Sequence, residues 1–409
     1  MSIELHAVQR VRWTEESTFG SDMSASIASF FDLPIREGTA QMTLTTTSLD
    51  PMPLQQSRLD RAEEVLGPRS ATLTFTLNLS SVAPANLTAG WAMALLENVF
   101  GGVWEGISTT FTGGTAAVPT VTSASGFLAG AAIGWVNSSG NLEVREIESI
   151  SGTSITLKHA FSGAPSNAQT AYAGTTFYPT ENPSTSLQFL VEGAESDDRW
   201  LLLGGQAVGG VSIAVDVTGQ QLPSITVNMK FADWLASDET SSSITGTLGT
   251  ATYLDFNPMV GHAGELRVFT VGTSTLSTSS LVHCSALAFN PAVNYVPVTS
   301  PSGVETVLRW RAGRTNPAIE GSFTTYYDGM TWFNARKNRG DYAFLYRMGN
   351  AAGETVVLSA PTVQIVNPQR VADASQLAAQ TIQWKGRRDT DVGVSTTELA
   401  RAPWRLHCL

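Results

Sequence analysis

The sequence predicts a mainly β protein made of two β-sandwich or short-barrel domains, each with one flanking helix, plus a small inserted β module. Three observations carry this expectation. Apolar and polar residues alternate in many short runs, a helical pattern appears in only two places, and one order of elements occurs twice.

The first alternating run is Gln41 to Thr47 (QMTLTTT). Ala71 to Ser80 follows, with Leu73, Phe75, Leu77 and Leu79 on one face and Thr72, Thr74, Thr76 and Asn78 on the other. Residues two apart share a face of a strand, so such runs have one buried and one wetted side, as in antiparallel sheets. Thr88 to Phe100 reads as a helix, capped by Thr88, with apolar Trp91, Leu95, Leu96 and Val99 and a stop at Gly101-Gly102. From Ala131 to Tyr178 come four short strand patterns separated by polar turns (SSGN, then Ser-Gly-Thr), which predict a small barrel or sandwich. The glycine-rich run 204–210 reads as a turn, because it lacks the lysine and the following helix of a phosphate loop. Val211 to Thr218 and Ser224 to Phe231 alternate again. In the second half, a strand at 319–327 precedes a helix at 328–338, with Asp328 as its cap and Gly340 beyond it; strands at 343–346, 355–366 and 379–386 follow.

Anchored on the two helices, the halves align: QFLVEG with AFLYRMG, VSIAVDV with PTVQIVN, and SITVNMKF with QTIQWKG. The implied organisation is a discontinuous first domain (1–102 and 181–238), an inserted β domain (103–180), a Ser/Thr/Gly-rich linker (239–252) and a second domain (253–409). Two long non-periodic segments, 50–70 and 290–303, occupy matching places. They read as arms reaching to a neighbouring subunit stacked above or below, with Met52, Leu54 and Leu59 on one and Val293, Tyr295 and Val298 on the other.

Composition narrows the function. Net charge is −11 over 409 residues, which argues against a protein that grips nucleic acid. Only 14% of residues are charged, and uncharged polar surface costs less to desolvate in subunit contacts. Two cysteines do not make a disulfide framework. The N-terminus lacks a signal pattern and no apolar stretch is long enough to span a membrane, so folding in a cytoplasm is expected.

No nucleophile elbow or Walker loop is present. The doublets His283-Cys284 and His407-Cys408 hint at zinc, but adjacent strand residues point to opposite faces, so no metal site is expected. Glu192, Glu195, Asp197 and Asp198 read as a solvated turn rather than a glycosidase pair. The small basic clusters at Arg309, Arg311, Arg314 and at Lys385, Arg387, Arg388 read as partners for a neighbour's acidic loops. No catalytic residue and no cofactor is expected.

The strand–helix pairs 71–100 and 319–338, the terminal hairpins 208–231 and 355–386, and the long loops together resemble phage tail tube proteins. That resemblance implies tube-like domains that form six-fold rings stacked around a DNA channel, and for a duplicated chain a trimer mimicking a hexamer. It implies a location in the virion tail after assembly in the host cytoplasm. Its implied partners are other copies of the chain, tape measure, tail terminator and distal tail proteins, and DNA only in passage, with no membrane. The strand threonines Thr43, Thr45, Thr47, Thr72, Thr74 and Thr76 are the candidates to line the channel, whose lining is expected to be acidic. The alternatives are a distal-tail ring or capsid decoration protein and, from another class, a secreted carbohydrate-active β protein using Glu195 and Asp197.

Overall fold

The computed structural model describes residues 2–4, 10–20, 30–49, 65–81, 91–183, 186–193, 199–216, 221–236, 257–258, 264–271, 281–292, 295–299, 307–312, 318–326, 329–372, 378–389 and 397–409. The protein is mainly β. The principal strands of the first half are β1 (Arg10–Glu15), β2 (Gln41–Leu49), β3 (Val65–Asn78), β4 (Leu187–Glu192), β5 (Arg199–Asp216) and β6 (Ser224–Phe231), with helix α1 (Trp91–Phe100) after β3. Those of the second half are β7 (Glu265–Thr270), β8 (Cys284–Ala292), β9 (Tyr295–Thr299), β10 (Val307–Ala312), β11 (Ala318–Tyr326), β12 (Asp341–Met348), β13 (Val356–Ala372), β14 (Ala378–Gly386) and β15 (Arg405–Cys408), with α2 (Thr331–Asn338) after β11.

The two halves share one connectivity. Antiparallel neighbours run β2-β3-β6-β5 in the first and β8-β11-β14-β13 in the second. The other end of β5 pairs with β4, flanked by β1; the other end of β13 pairs with β12, flanked by β7. Ladder irregularities also recur. β4–β5 slips between Leu187 and Phe189, and β12–β13 between Tyr342 and Phe344. β5–β6 slips after Ala207, and β13–β14 after Ile365. Bulges bend a strand, which lets one long strand serve both layers of a sandwich. The run 204–210 is therefore a bulged strand interior and not a turn. Glycine is required there, since a Cβ on Gly205 would lie 2.5 Å from the Phe231 ring.

The cores match by compensation. The tilted ring pair Phe75–Phe189 (6.0 Å) recurs as the edge-on pair Phe323–Phe344 (5.7 Å). The cross-strand pair Leu73–Met229 becomes Gly321–Trp384, and Ala71–Phe231 becomes Ile319–Gly386. A Cβ on Gly321 would meet the Trp384 ring at 2.2 Å and the Ala288 carbonyl at 2.5 Å, so only glycine fits beside the large residue and the neighbouring strand. The same register places Lys230 at Lys385 and Val211 at Pro368. The pairing of VSIAVDV with PTVQIVN is thus displaced by seven residues, because alternation does not fix register across a bulge.

The halves join edge to edge. Ile213 to Asp216 of β5 pair with Ala286 to Phe289 of β8, which merges the two sheets into eight consecutive strands, β2-β3-β6-β5-β8-β11-β14-β13.

Six strands between Thr109 and Ala173 close a separate barrel around Phe111, Ile133, Trp135, Ile147 and Leu157. It includes strands Thr109–Gly114 and Pro119–Val121, which the sequence reading did not single out. The run AYAGTTFYP divides at Gly174, where a Cβ would lie 2.4 Å from the Cys408 carbonyl. Thr170–Ala173 stays in the barrel, while Thr175–Tyr178 leaves it to pair with β15 and with Gly102–Glu105. Leu142 and Val144 of the barrel pack with Phe269, Leu345, Val357 and Leu409, which seats the barrel on the layer containing β7, β12 and β13.

Helix α2 begins at Thr331 and has no side-chain cap from Met330; its left-handed cap is Arg339 (φ 52°), one residue before Gly340. The expected caps Thr88 and Asp328, residues 51–64 and the linker 239–252 lie outside the described residues.

Candidate functional site

One face of the eight-strand sheet is apolar and buried; the other is polar and open. Thr43, Thr45, Thr72, Thr74 and Thr76 all fall on the polar face, exposed or half-buried. The side chain of Thr47 lies outside the described residues. Hydroxyls and amides tie neighbouring strands across this face. Thr74 donates to Asn228 (2.7 Å), Thr76 pairs with Thr226 (2.9 Å) and Thr324 with Thr381 (3.2 Å). The ladder continues over the joint, where Ser212 donates to Asn290 (3.0 Å). The charged side chains alternating onto this face, among the described residues, are Lys230, Asp216, Glu320 and Lys385. Two positive and two negative charges cancel, and Lys385 pairs with Glu320 at 2.5 Å. Among the described residues this face therefore carries no net charge, in contrast to the acidic lining expected from the net charge of the chain.

The sheet run ends in two edges. Beyond Gln364, β13 has a strand partner only on its β14 side among the described residues. At the opposite end, the short strand Ser2–Glu4 covers β2 from Thr43 to Thr45, and stops short of Gln41 and Met42. Superimposing the halves makes these edges equivalent to the joined ones. Ala214 and Ala288, paired across the joint, correspond to Val371 and Gln41.

The arm residues divide. Met52, Leu54, Leu59 and Val293 lie outside the described residues. Tyr295 requires a correction: it is buried within its own chain, its hydroxyl donating to the Thr180 carbonyl (3.1 Å). The described residues of the segment 290–303 are strand rather than loop. β8 runs to Ala292, and β9, which includes the half-buried Val298, pairs with β10 as a hairpin. That hairpin crosses from the second half onto the first, where buried Trp310 donates its indole N–H to the Gly204 carbonyl (3.0 Å). Sequence reasoning missed Trp310. Its signal was the alternation Arg309-Trp310-Arg311, read only as a basic cluster although the arginines are exposed and the tryptophan buried.

A second feature is a buried polar network beneath the barrel. Glu146 of the barrel receives Arg405 Nη1 (2.9 Å) and Ser359 Oγ, with His407 Nε2 at 3.3 Å and Lys158 Nζ at 3.6 Å. Asp389 receives Arg405 Nη2 (2.8 Å) and Lys158. His407 also pairs through Nδ1 with Thr176 (2.9 Å). Burial pushes the Glu146 carboxyl up, but Arg405, Lys158 and His407 together outweigh it and hold it well below its ordinary range. Burial holds the His407 imidazole below its ordinary value, against the attraction of Glu146.

His407 is thus engaged in a network while Cys408, its neighbour, packs into the apolar core; His283 is exposed and Cys284 half-buried. No group of three or more metal-ligating side chains occurs among the described residues. Of the acidic cluster, Glu192 pairs with Arg199 (3.3 Å), and Glu195, Asp197 and Asp198 lie outside the described residues. No helix among the described residues is long and apolar enough to cross a membrane. No family model matches the chain, and no curated protein matches it.

Proposed function

We propose that the chain is a structural subunit that polymerises through its sheet edges into closed, stackable rings, and that these rings form the tail tube of a bacteriophage. The observation that carries this reading is the β5–β8 joint. One half of the chain completes its sheet with the other half, and the same two edges recur at the ends of the run, where among the described residues β13 beyond Gln364 has no strand on that side and β2 is covered only from Thr43 to Thr45. An uncovered edge is a template for pairing, and a repeated head-to-tail contact closes a ring when its rotation allows. Three chains supply about 24 strands; at roughly 4.8 Å apart these close a ring about 37 Å across, which leaves a lumen of about 27 Å inside the side chains. A neutral, hydroxyl-rich polar face suits a conduit that DNA crosses without adhering. The barrel, seated on the layer behind that face, lies on the outside of such a ring.

The test uses the template's own register. Oxidising the variant Gln41→Cys with Val371→Cys is expected to give a covalent trimer on a non-reducing gel, with each single variant giving none. A cross-link confined to monomers, or none while microscopy shows tubes, would refute the edge assignment. Single-layer rings in place of filaments would favour a distal-tail ring.

A further inference from the structure

A cavity of about 300 Å³ lies where the barrel meets the outer layer of the second half. Arg145 enters it from the barrel, and Arg267 and Arg347 come from β7 and β12. Glu143, Glu265 and the amides of Asn137 and Asn141 complete the polar lining, with Asn137 donating to Glu143 (2.9 Å). Three guanidinium groups face two carboxylates, which leaves one positive charge in a chain whose net charge is −11.

The donors are not exhausted. Each guanidinium offers five N–H groups. Arg145 spends three, on the carbonyls of Ala160 and Val144 and on Glu143. Arg347 spends two, on the Leu142 carbonyl and Glu265, and Arg267 spends one on Glu265. Arg145 is almost fully buried, and burial, together with repulsion from Arg267 and Arg347 against the pull of Glu143, lowers it to about 10. An anion in the cavity relieves that repulsion and takes up the spare donors. Guanidinium groups bind two oxygens of a carboxylate or phosphate in forked pairs, which neutral sugars and cations do not match.

We infer that this cavity is a binding site for one compact oxyanion, a carboxylate or phosphate group on a molecule of monosaccharide size or smaller. The volume stands at the lower end for small-molecule pockets. The inference is independent of ring assembly, since every lining residue belongs to a single chain.

Calorimetric titration of the full chain with inorganic phosphate, with glucuronate and with glucose tests it. One saturable site per chain is expected for at least one of the two anions, weakening as salt is raised. Phosphate alone, or glucuronate alone, would support the site and identify which source of oxyanion it takes. Arg267→Gln removes only one internal hydrogen bond and is expected to weaken binding at least tenfold with the melting temperature unchanged. Asn141→Asp, which adds negative charge without touching an arginine, is expected to weaken it as well. No saturable binding of either anion would overturn the inference. So would equal binding of glucose, or undiminished binding by both variants.

Discussion

Glu146 shows what a single residue holds together. It lies in a barrel strand, yet its partners Arg405, Ser359 and His407 belong to the other end of the chain. Removing one member of a buried ion cluster strands the remaining charges, at a cost of about 3–5 kcal/mol. Glu146→Gln is therefore expected to lower stability by that order, measurable by denaturant titration. The pH dependence follows from the same groups. Both Glu146 and His407 are held below their ordinary values when folded, so the unfolded chain takes up protons first as pH falls. Stability that is complete above pH 6.5 should decline below it through His407, and decline further below 4.5 through Glu146. Each group contributes at most about 1.4 kcal/mol per pH unit. His407→Gln is expected to remove the upper part of the decline and leave the lower part. An unchanged slope between pH 6.5 and 4.5 would show that His407 does not sense pH in this range. The core offers a sharper residue-scale test, because one half suggests the repair for the other. Gly321→Leu overpacks Trp384, and Trp384→Met leaves a cavity; each is expected to destabilise by about 1–3 kcal/mol or more. Combined, they place the Leu73–Met229 pair at this position, and a double-mutant cycle should show on the order of 1–3 kcal/mol of favourable coupling, short of full recovery because a Cβ at 321 still meets the Ala288 carbonyl.

Among the elements, the β9–β10 hairpin adds side-chain contact between the halves to the backbone pairing of β5 with β8. Trp310→Ala is expected to cost about 3–5 kcal/mol, through lost packing and a buried carbonyl left without its donor. Loss of cooperativity between the halves in a thermal melt would be its signature. This hairpin was illegible as such. Proline at 291 and 297 and the run TSPSG disguise its strands, and only Trp310 between two arginines betrays the alternation. By contrast β3 from Ala71 onward, β6, β11 and β14 were plain, because apolar residues recur at alternate positions and each strand carries at least one threonine on its wetted face. The long strands β5 and β13 were read only in part. Each changes partners at a bulge, and a bulge interrupts the period on which such reading depends. The threonines of the polar face were legible for the same reason that the face's neutrality was not. Alternation assigns a residue to a side, whereas net charge says nothing about which side holds it.

For the whole molecule, the arms and the joint argue together. β9–β10 sits between β8 and β11 in the chain and crosses onto the half that β8 joins. Residues 51–64 occupy the matching place between β2 and β3, and β2 is the strand whose outer edge is assigned to a neighbouring chain. The expectation that this segment bears only on stacking therefore shifts: its counterpart works along the sheet run, across a joint. Deleting residues 52–66 should leave a folded chain, as judged by an unchanged strand signature in circular dichroism. It should also lower the yield of the cross-linked trimer from the Gln41→Cys, Val371→Cys variant at a given protein concentration. Raising the concentration should restore that yield, since the edges themselves remain and a lost contact weakens association without abolishing it. Full yield of trimer accompanied by loss of filaments would return the segment to a stacking role alone. Unchanged filaments would remove it from assembly altogether, and the Trp310 seat would then be an internal brace with no counterpart between chains.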